Sequence, residues 1–432
     1  MLPLNLGLTI SSVVNLRGGN RRAVTPPANG AARSRVVYSL LDQVMSSASN
    51  ALVVFAVARV ASVDAFGAAV LLFALATAAI SICRGAVGTP IMLAAGRGHD
   101  DLRREAGFAT TTALSLGLAV SGAAAVTSFL LGTPRMGAAF ALAIPIVVVV
   151  DVFRYTIIAA SRPGIAMMWD TIWAAGSALL FAITQFKPDA ISDVTLVSLW
   201  AMFAIISAMG MGWNFRLRPG FRGIDNWWRA TYGSRIRYGL ESGLGQIKII
   251  VITAISTAVI GAFAAASLRG AATLLSPLAV LLSALPLVII PEAVRSGTSP
   301  TVVWRRLCLI GLVGSLSVIT IGPALTLFPD RVGEFVLGES WSYARAVLPI
   351  ISIEYAAAVW ISIAMVFLRF QAKSRQLLTS TMAYTVISII LCTTMAFLTE
   401  TAVGVAWALA ASAAATATAI TIYARPARER PV

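Results

Sequence analysis

The sequence predicts an all-α polytopic membrane protein: about twelve transmembrane helices, set as two pseudo-symmetric six-helix lobes around a central cavity. Three observations carry this. First, 58% of the 432 residues are hydrophobic and only 12% are charged, about half the charged share of a soluble chain. Second, apolar runs long enough to cross ~30 Å of hydrocarbon recur along the whole length. Third, the halves resemble each other. SRVVYSLLDQ (34–43) is answered by SRIRYGLESG (234–243), so Ser34, Arg35, Tyr38 and Leu40 align with Ser234, Arg235, Tyr238 and Leu240. Downstream, GTPIMLAAGRG (88–98) is answered by VIIPEAVRSG (288–297), with Pro90 near Pro291. Two similar bundles facing each other across a bilayer place a binding site between the halves.

Residues 1–33 hold no span. From Arg17 to Arg33 the chain is rich in Gly, Pro and Arg and reads as a disordered basic arm. No charged segment precedes an apolar core as in a cleavable signal. Six apolar runs follow, at about 36–61, 67–95, 107–131, 137–160, 165–186 and 194–213, and make an N-terminal lobe over 34–213. The link 214–235 carries Trp227 and Trp228 beside Arg229, the composition of a helix lying in the membrane interface. Runs at about 238–260, 266–293, 307–329, 345–368, 376–398 and 403–424 make a C-terminal lobe over 236–424, and 425–432 is a short tail. The longest loop on the opposite side from the basic link, about 330–344, has no room for a domain.

Basic residues fix the expected orientation. With the N-terminus inside, 24 of the 33 Lys and Arg fall in inside segments and four (Arg135, Lys187, Arg331 and Arg345) fall outside. The remaining five, Arg59, Arg84, Arg154, Lys248 and Arg269, lie within spans. This positive-inside asymmetry predicts cytoplasmic termini. It also accounts for the net charge of +15 without a nucleic-acid partner, leaving contact with anionic membrane lipids as a secondary consequence.

Little else suggests catalysis. Cys83, Cys308 and Cys392 all fall in apolar spans, with neither a disulfide framework nor metal-ligand spacing. His99, beside Asp100 and Asp101, is read more simply as part of a solvated loop than as a metal or proton site. There is no phosphate-binding Gly-Lys-Ser/Thr loop. No catalytic residue, metal or cofactor is predicted.

Charges inside hydrocarbon cost about 2.5–3.5 kcal/mol each on insertion scales and usually face a cavity or a partner. In the first span Asp42, Gln43, Ser46, Ser47, Ser49 and Asn50 share one face. In the seventh, Tyr238, Glu241, Ser242, Gly245 and Lys248 do the same. Equivalent stripes in equivalent spans predict a shared water-filled cavity; packing through small polar residues is the alternative. Glu241 and Lys248, two turns or about 10 Å apart, are too distant to satisfy each other. Arg84 has no carboxylate one turn away, so it needs a partner from another helix or an anionic ligand. Asp151 and Arg154, at i and i+3, are expected to pair. Glu354, in the tenth span, is a candidate for proton or cation coupling. Asp170 is expected to reach water, and Arg59 and Arg269 to snorkel to the outer interface.

LDQVMSSASNALVVFAVARVASVDAFGAAVL (41–71) resembles the opening helix of bacterial polysaccharide and O-antigen flippases, within the multidrug/oligosaccharidyl-lipid/polysaccharide exporter superfamily. The shared pattern is Gln43, Ser46, Ser47 and Asn50, then Ala58-Arg59, a short loop and Phe66-Gly67. LGESWSYARAVLPII (337–351) resembles the approach to the tenth helix in the same family. The resemblance covers about residues 35–425. It implies alternating access between two lobes, and a polyprenyl-diphosphate-linked oligosaccharide as cargo. It implies a bacterial plasma (inner) membrane setting, with a polysaccharide polymerase or glycosyltransferases as possible partners. It makes Arg84, Lys248 and Arg154 the cations for the diphosphate, Gln43 and Asn50 further substrate contacts, and Asp42, Glu241 and Glu354 the coupling or cavity acids. Twelve helices rather than fourteen set the chain apart from the lipid II branch.

An inside-negative potential favours outward movement of an anion by ~2.3 kcal/mol per charge per 100 mV, so outward flipping needs no ATP. Two alternatives stand beside this. An ion-coupled multidrug exporter of the same superfamily would prefer an acidic cavity. A polyprenyl-phosphate-dependent glycosyltransferase would need a carboxylate base at the outer face, where the first loop offers only Asp64.

Overall fold

The computed structural model describes residues 29–426 apart from 97 and 338–339. Of the expected arm (1–33), residues 29–33 instead begin the first helix, while 1–28, Glu339 and the tail beyond 426 lie outside the described residues, as do the side chains of Asp64 and His99. Among the described residues every regular element is helical. Twelve helices are long and apolar enough to span a bilayer, so the chain is a multi-pass membrane protein with the expected number of spans.

The N-terminal lobe starts with α1 (Asn29–Val60). The second span is α2 (Val63–Cys83), a π-helical turn (Arg84–Gly88) and α3 (Thr89–Leu93). Next come α4 (His99–Leu130), α5 (Pro134–Ala159), α6 (Pro163–Phe186) and α7 (Asp193–Phe215). The C-terminal lobe holds α8 (Ile224–Ile260), α9 (Ala262–Leu274), α10 (Ser276–Ser296), α11 (Pro300–Leu325), the short α12 (Asp330–Leu337), α13 (Ser340–Phe370), α14 (Ser374–Thr399) and α15 (Ala402–Ala424). Boundaries follow capping chemistry. Ser62, Ser192 and Thr401 each accept a backbone N–H of the helix they start, filling one of the orphan donors. Left-handed Gly297 and Glu400 stop α10 and α14.

Each lobe is built on a central helix. In the N-terminal lobe it is α5, 78% of whose span is buried. Ser121 of α4 donates to the Ala141 carbonyl, and Phe73, Phe140, Trp173 and Trp200 form a chain of ring contacts. In the C-terminal lobe it is α13. Trp304 of α11 packs on Phe367 at 4.9 Å, and Ser315 donates to the Ala356 carbonyl.

The internal resemblance corresponds to a swap. The first helix of each lobe packs on the second span of the other: α1 on α10, and α8 on α2 and the π turn. The aligned arginines both cross. Arg35 pairs with Glu292 of α10 at 3.0 Å, and Arg235 with Glu105 of α4 at 2.6 Å. Arg295 also reaches Ser161 across the lobes. All these ties lie at the end of the bundle that carries the arginine-rich loops. The deepest cross-lobe hydrogen bond joins Gln246 to Ser81 at 3.3 Å.

Two details differ from the sequence reading. The link's Trp227 and Trp228 belong to no separate interfacial helix; they sit in the first turns of the continuous 37-residue α8, about 55 Å long. They dock on α4, with Trp227 against Phe108, under the Arg235 guanidinium, and Trp228 donating to Thr112. The eighth span is also not one helix, since it breaks between α9 and α10 at Leu275.

Candidate functional site

A cavity of about 700 Å³ opens inside the C-terminal lobe where it meets the second span. Of the expected stripe, α8 contributes Glu241, Ser242, Gly245 and Lys248, while Tyr238 is buried outside the lining. α13 contributes a second one, in which Glu354, Ala358, Ile361, Ser362, Met365 and Arg369 recur at helical spacing. Among the described residues, those of the N-terminal lobe that reach it are Ser81, Arg84, Gly85, Thr89 and Tyr155.

The floor, nearest the closed end, is cationic and partly paired. Arg84 donates through Nε and Nη2 to the two carboxylate oxygens of Asp151, at 2.8 and 2.6 Å. Nη1 has no hydrogen bond among the described residues. Its side chain is 28% exposed, so it stays reachable from the cavity. Arg369 donates through Nη2 to Glu241 at 2.7 Å, while its buried Nε has no partner, like the nearby Tyr238 hydroxyl. Each guanidinium thus spends part of its fork on one carboxylate and keeps part in reserve, an arrangement suited to a second anion. Higher up, the Lys248 ammonium lies 3.8 Å from the centre of the Tyr384 ring. Glu354 faces the same space from α13. Arg269, expected to snorkel, is exposed and lines this cavity too.

The first-span stripe lies elsewhere. Arg154 sits 1% exposed inside the N-terminal lobe, amid three carboxylates: Asp42 at 2.7 Å, Asp170 at 2.7 Å and Asp151 at 3.2 Å. Gln43 accepts from the same guanidinium and donates to Ser47, and Ser49 bonds back to the Ser46 carbonyl. Of the expected substrate contacts, Arg154, Gln43 and Asn50 are therefore absent from the cavity lining, as is the coupling candidate Asp42. The reason is electrostatic: a buried guanidinium gathers the lobe's acids around itself, and the α1 stripe turns inward to it. Asp170, expected to reach water, is wholly buried there. Asp151 bridges the regions by holding Arg154 and Arg84 at once.

Arg369, Tyr155 and Tyr384 were not singled out by sequence. The signal for Arg369 was its spacing from Glu354, fifteen residues along one helix and hence on nearly the same face.

No family model and no curated protein sequence matches the chain. Solved structures do. An outward-facing multidrug resistance MATE family transporter of the MOP superfamily superposes with a TM-score of 0.70 at 14% identity, over 91% of this chain and 94% of that one. A MOP superfamily transporter from Pyrococcus furiosus, described as having a binding pocket of reverse polarity, gives 0.69 at 13% over 91% and 94%. A MATE structure in complex with MaD3S gives 0.70 at 13% over 91% and 95%. The fold is that of the MOP-superfamily transporters.

Within this MOP fold the chain has a defined closed end. The swapped pairs Arg35–Glu292 and Arg235–Glu105 seal the arginine-rich side. Below them the π turn and α8 touch backbone to backbone. A Cβ at Gly85 would lie 2.0 Å from the Tyr238 carbonyl oxygen, so this crossing tolerates glycine alone.

Proposed function

We propose that the protein is a flippase that carries a polyprenyl-diphosphate-linked oligosaccharide from the inner to the outer leaflet of a bacterial plasma membrane by alternating access. In this reading the arginine-rich end and both termini are cytoplasmic, and the product feeds cell-surface polysaccharide or glycolipid synthesis. The observation that carries the reading is the charge of the cavity. Arg84, Lys248, Arg269 and Arg369 line it against two acids, Glu241 and Glu354. A diphosphate and its sugars cross hydrocarbon only if their polar groups are satisfied on the way. Partly unpaired guanidiniums serve the phosphates, and Ser81, Ser242, Gln246, Ser362, Thr381 and Thr385 serve sugar hydroxyls. The prenyl chain can stay in the bilayer.

Arg84 and Arg369 are the primary phosphate ligands in this scheme. Lys248 lies farther up, and Arg154 acts by holding Asp151, and through it Arg84. Asp42, with Arg154, and Glu354, with Lys248, are the acids at which ion coupling would enter; Glu241 is the internal anion that cargo displaces from Arg369. A polysaccharide polymerase or glycosyltransferases would be the proteins that hand over or receive the lipid.

A multidrug exporter of the same fold is the second reading, favoured by Glu354 and Tyr384 lining the same cavity. Binding separates the two. Purified protein should take a fluorescent polyprenyl diphosphate in preference to the matching uncharged polyprenol. Arg84→Ala and Arg369→Ala should each weaken that binding about tenfold or more, since a hydrogen bond to a charged group is worth about 1.5–3 kcal/mol. Equal affinity for the diphosphate and the alcohol, or unchanged binding in both variants with melting temperatures intact, would exclude the diphosphate site.

A further inference from the structure

Lys248 does not extend into free space. Its ammonium lies on the Tyr384 face, and Glu354 lines the same cavity without a direct ion pair to it. Take the ammonium away, and a carboxylate and the aromatic rings of Tyr384 and Tyr355 remain lining one largely apolar cavity. An acid next to ring faces is the recognition set for an organic cation.

We propose that Glu354 and Tyr384 form a cation site that the protein fills with its own Lys248, and that this tethered ammonium sets the selectivity of the cavity by shutting organic cations out. Three features support it. The ammonium is covalently attached, so it competes with any free cation as an intramolecular ligand at high effective concentration. The other acids nearby are already spoken for: Glu241 accepts from Arg369, and Asp151 from Arg84 and Arg154. Of the four cations that line the cavity, Arg84 and Arg369 are paired with those acids, leaving Lys248 and Arg269 to balance Glu354. Finally, Lys248 is two turns along α8 from Glu241, so its loss leaves the floor pairs standing.

The inference deepens the anionic-cargo reading but is tested apart from it. Binding of tetraphenylphosphonium would be measured by calorimetry on the purified protein. Lys248→Met keeps the apolar stem and removes the charge; Lys248→Arg keeps a charge. Lys248→Met should bind the probe about tenfold or more tighter than wild type, Lys248→Arg should behave as wild type, and adding Glu354→Gln to Lys248→Met should abolish the gain. The proposal is overturned if Lys248→Met, with an unchanged melting temperature, binds the probe no better than wild type, or if the gain survives Glu354→Gln. Should Lys248→Met fail to fold, Lys248→Gln carries the same test. A gain of cation binding in a protein that flips no lipid-linked oligosaccharide removes the cargo reading and leaves this one; flipping without the gain does the reverse.

Discussion

Arg154→Ala should lower the stability of the protein by about 3–5 kcal/mol, the usual cost of removing one partner from a buried ion pair. The effect is large because the site is crowded with like charge. Asp42, Asp151 and Asp170 all lie against this one guanidinium, and without it only Arg84, bound to Asp151, still opposes them. One Asp42 oxygen already lacks a hydrogen-bond partner. The four residues come from α1, α5 and α6, so losing the charge unpins the centre of the lobe. Adding Asp42→Asn to Arg154→Ala should recover part of the loss, since it removes one of the stranded charges. Lys at 154 should recover little, because a point charge cannot serve three acids as a planar fork does. Thermal melting in detergent, read by size-exclusion elution, measures this. A variant that melts with wild type would mean that the acids are satisfied in some other way.

Gly85→Val should block closure of the arginine-rich end. The added Cβ would meet the Tyr238 carbonyl oxygen at 2.0 Å and its carbon at 2.6 Å, where contact normally begins near 3.5 Å. Both atoms are backbone, so no rotamer relieves the clash; α8 and the second span must part. The crossing also lies between the swapped ion pairs and the cavity floor, so parting it opens the floor to that end. The expected result is labelling of a cysteine at Ser242 by an impermeant maleimide from the arginine-rich side in Gly85→Val, and protection of the same cysteine in the Gly85 parent. Equal protection in both would show that the helices absorb the side chain and that this crossing is not the seal.

Much of the architecture was readable in the sequence because hydrocarbon imposes one rule on every span: apolar, helical and about twenty residues long. Span number and the pairing of α1 with α8 as equivalents follow from that rule and from the repeated SR motif. The i, i+3 pair Asp151–Arg154 was readable because both members lie on one helix. What escaped depends on contacts between helices. Asp42 and Asp170 flank Arg154 from two other helices, and Asp151 claims Arg84 across a separation of 67 residues, so no local spacing reveals either. The polar stripe of α1 was found correctly, but whether it faces water or a guanidinium is a matter of tertiary packing. The π turn at Arg84–Gly88 has no strong sequence marker, whereas the break at Leu275 is marked by Pro277 in the first turn of α10. Arg369 sits in the last turn of α13, where sequence does not separate a span from the loop that follows.

In the proposed function the cavity carries an anionic lipid-linked glycan outward. Proteoliposomes holding a fluorescent polyprenyl-diphosphate oligosaccharide test it most directly, by following the lipid's accessibility to an impermeant quencher under an inside-negative potential. The expected result is protein-dependent movement that rises with the potential, as ~2.3 kcal/mol per charge per 100 mV requires, and that falls in Arg84→Ala and Lys248→Ala with folding intact. No movement of any of several glycans, with both a potential and a proton gradient applied, would contradict it.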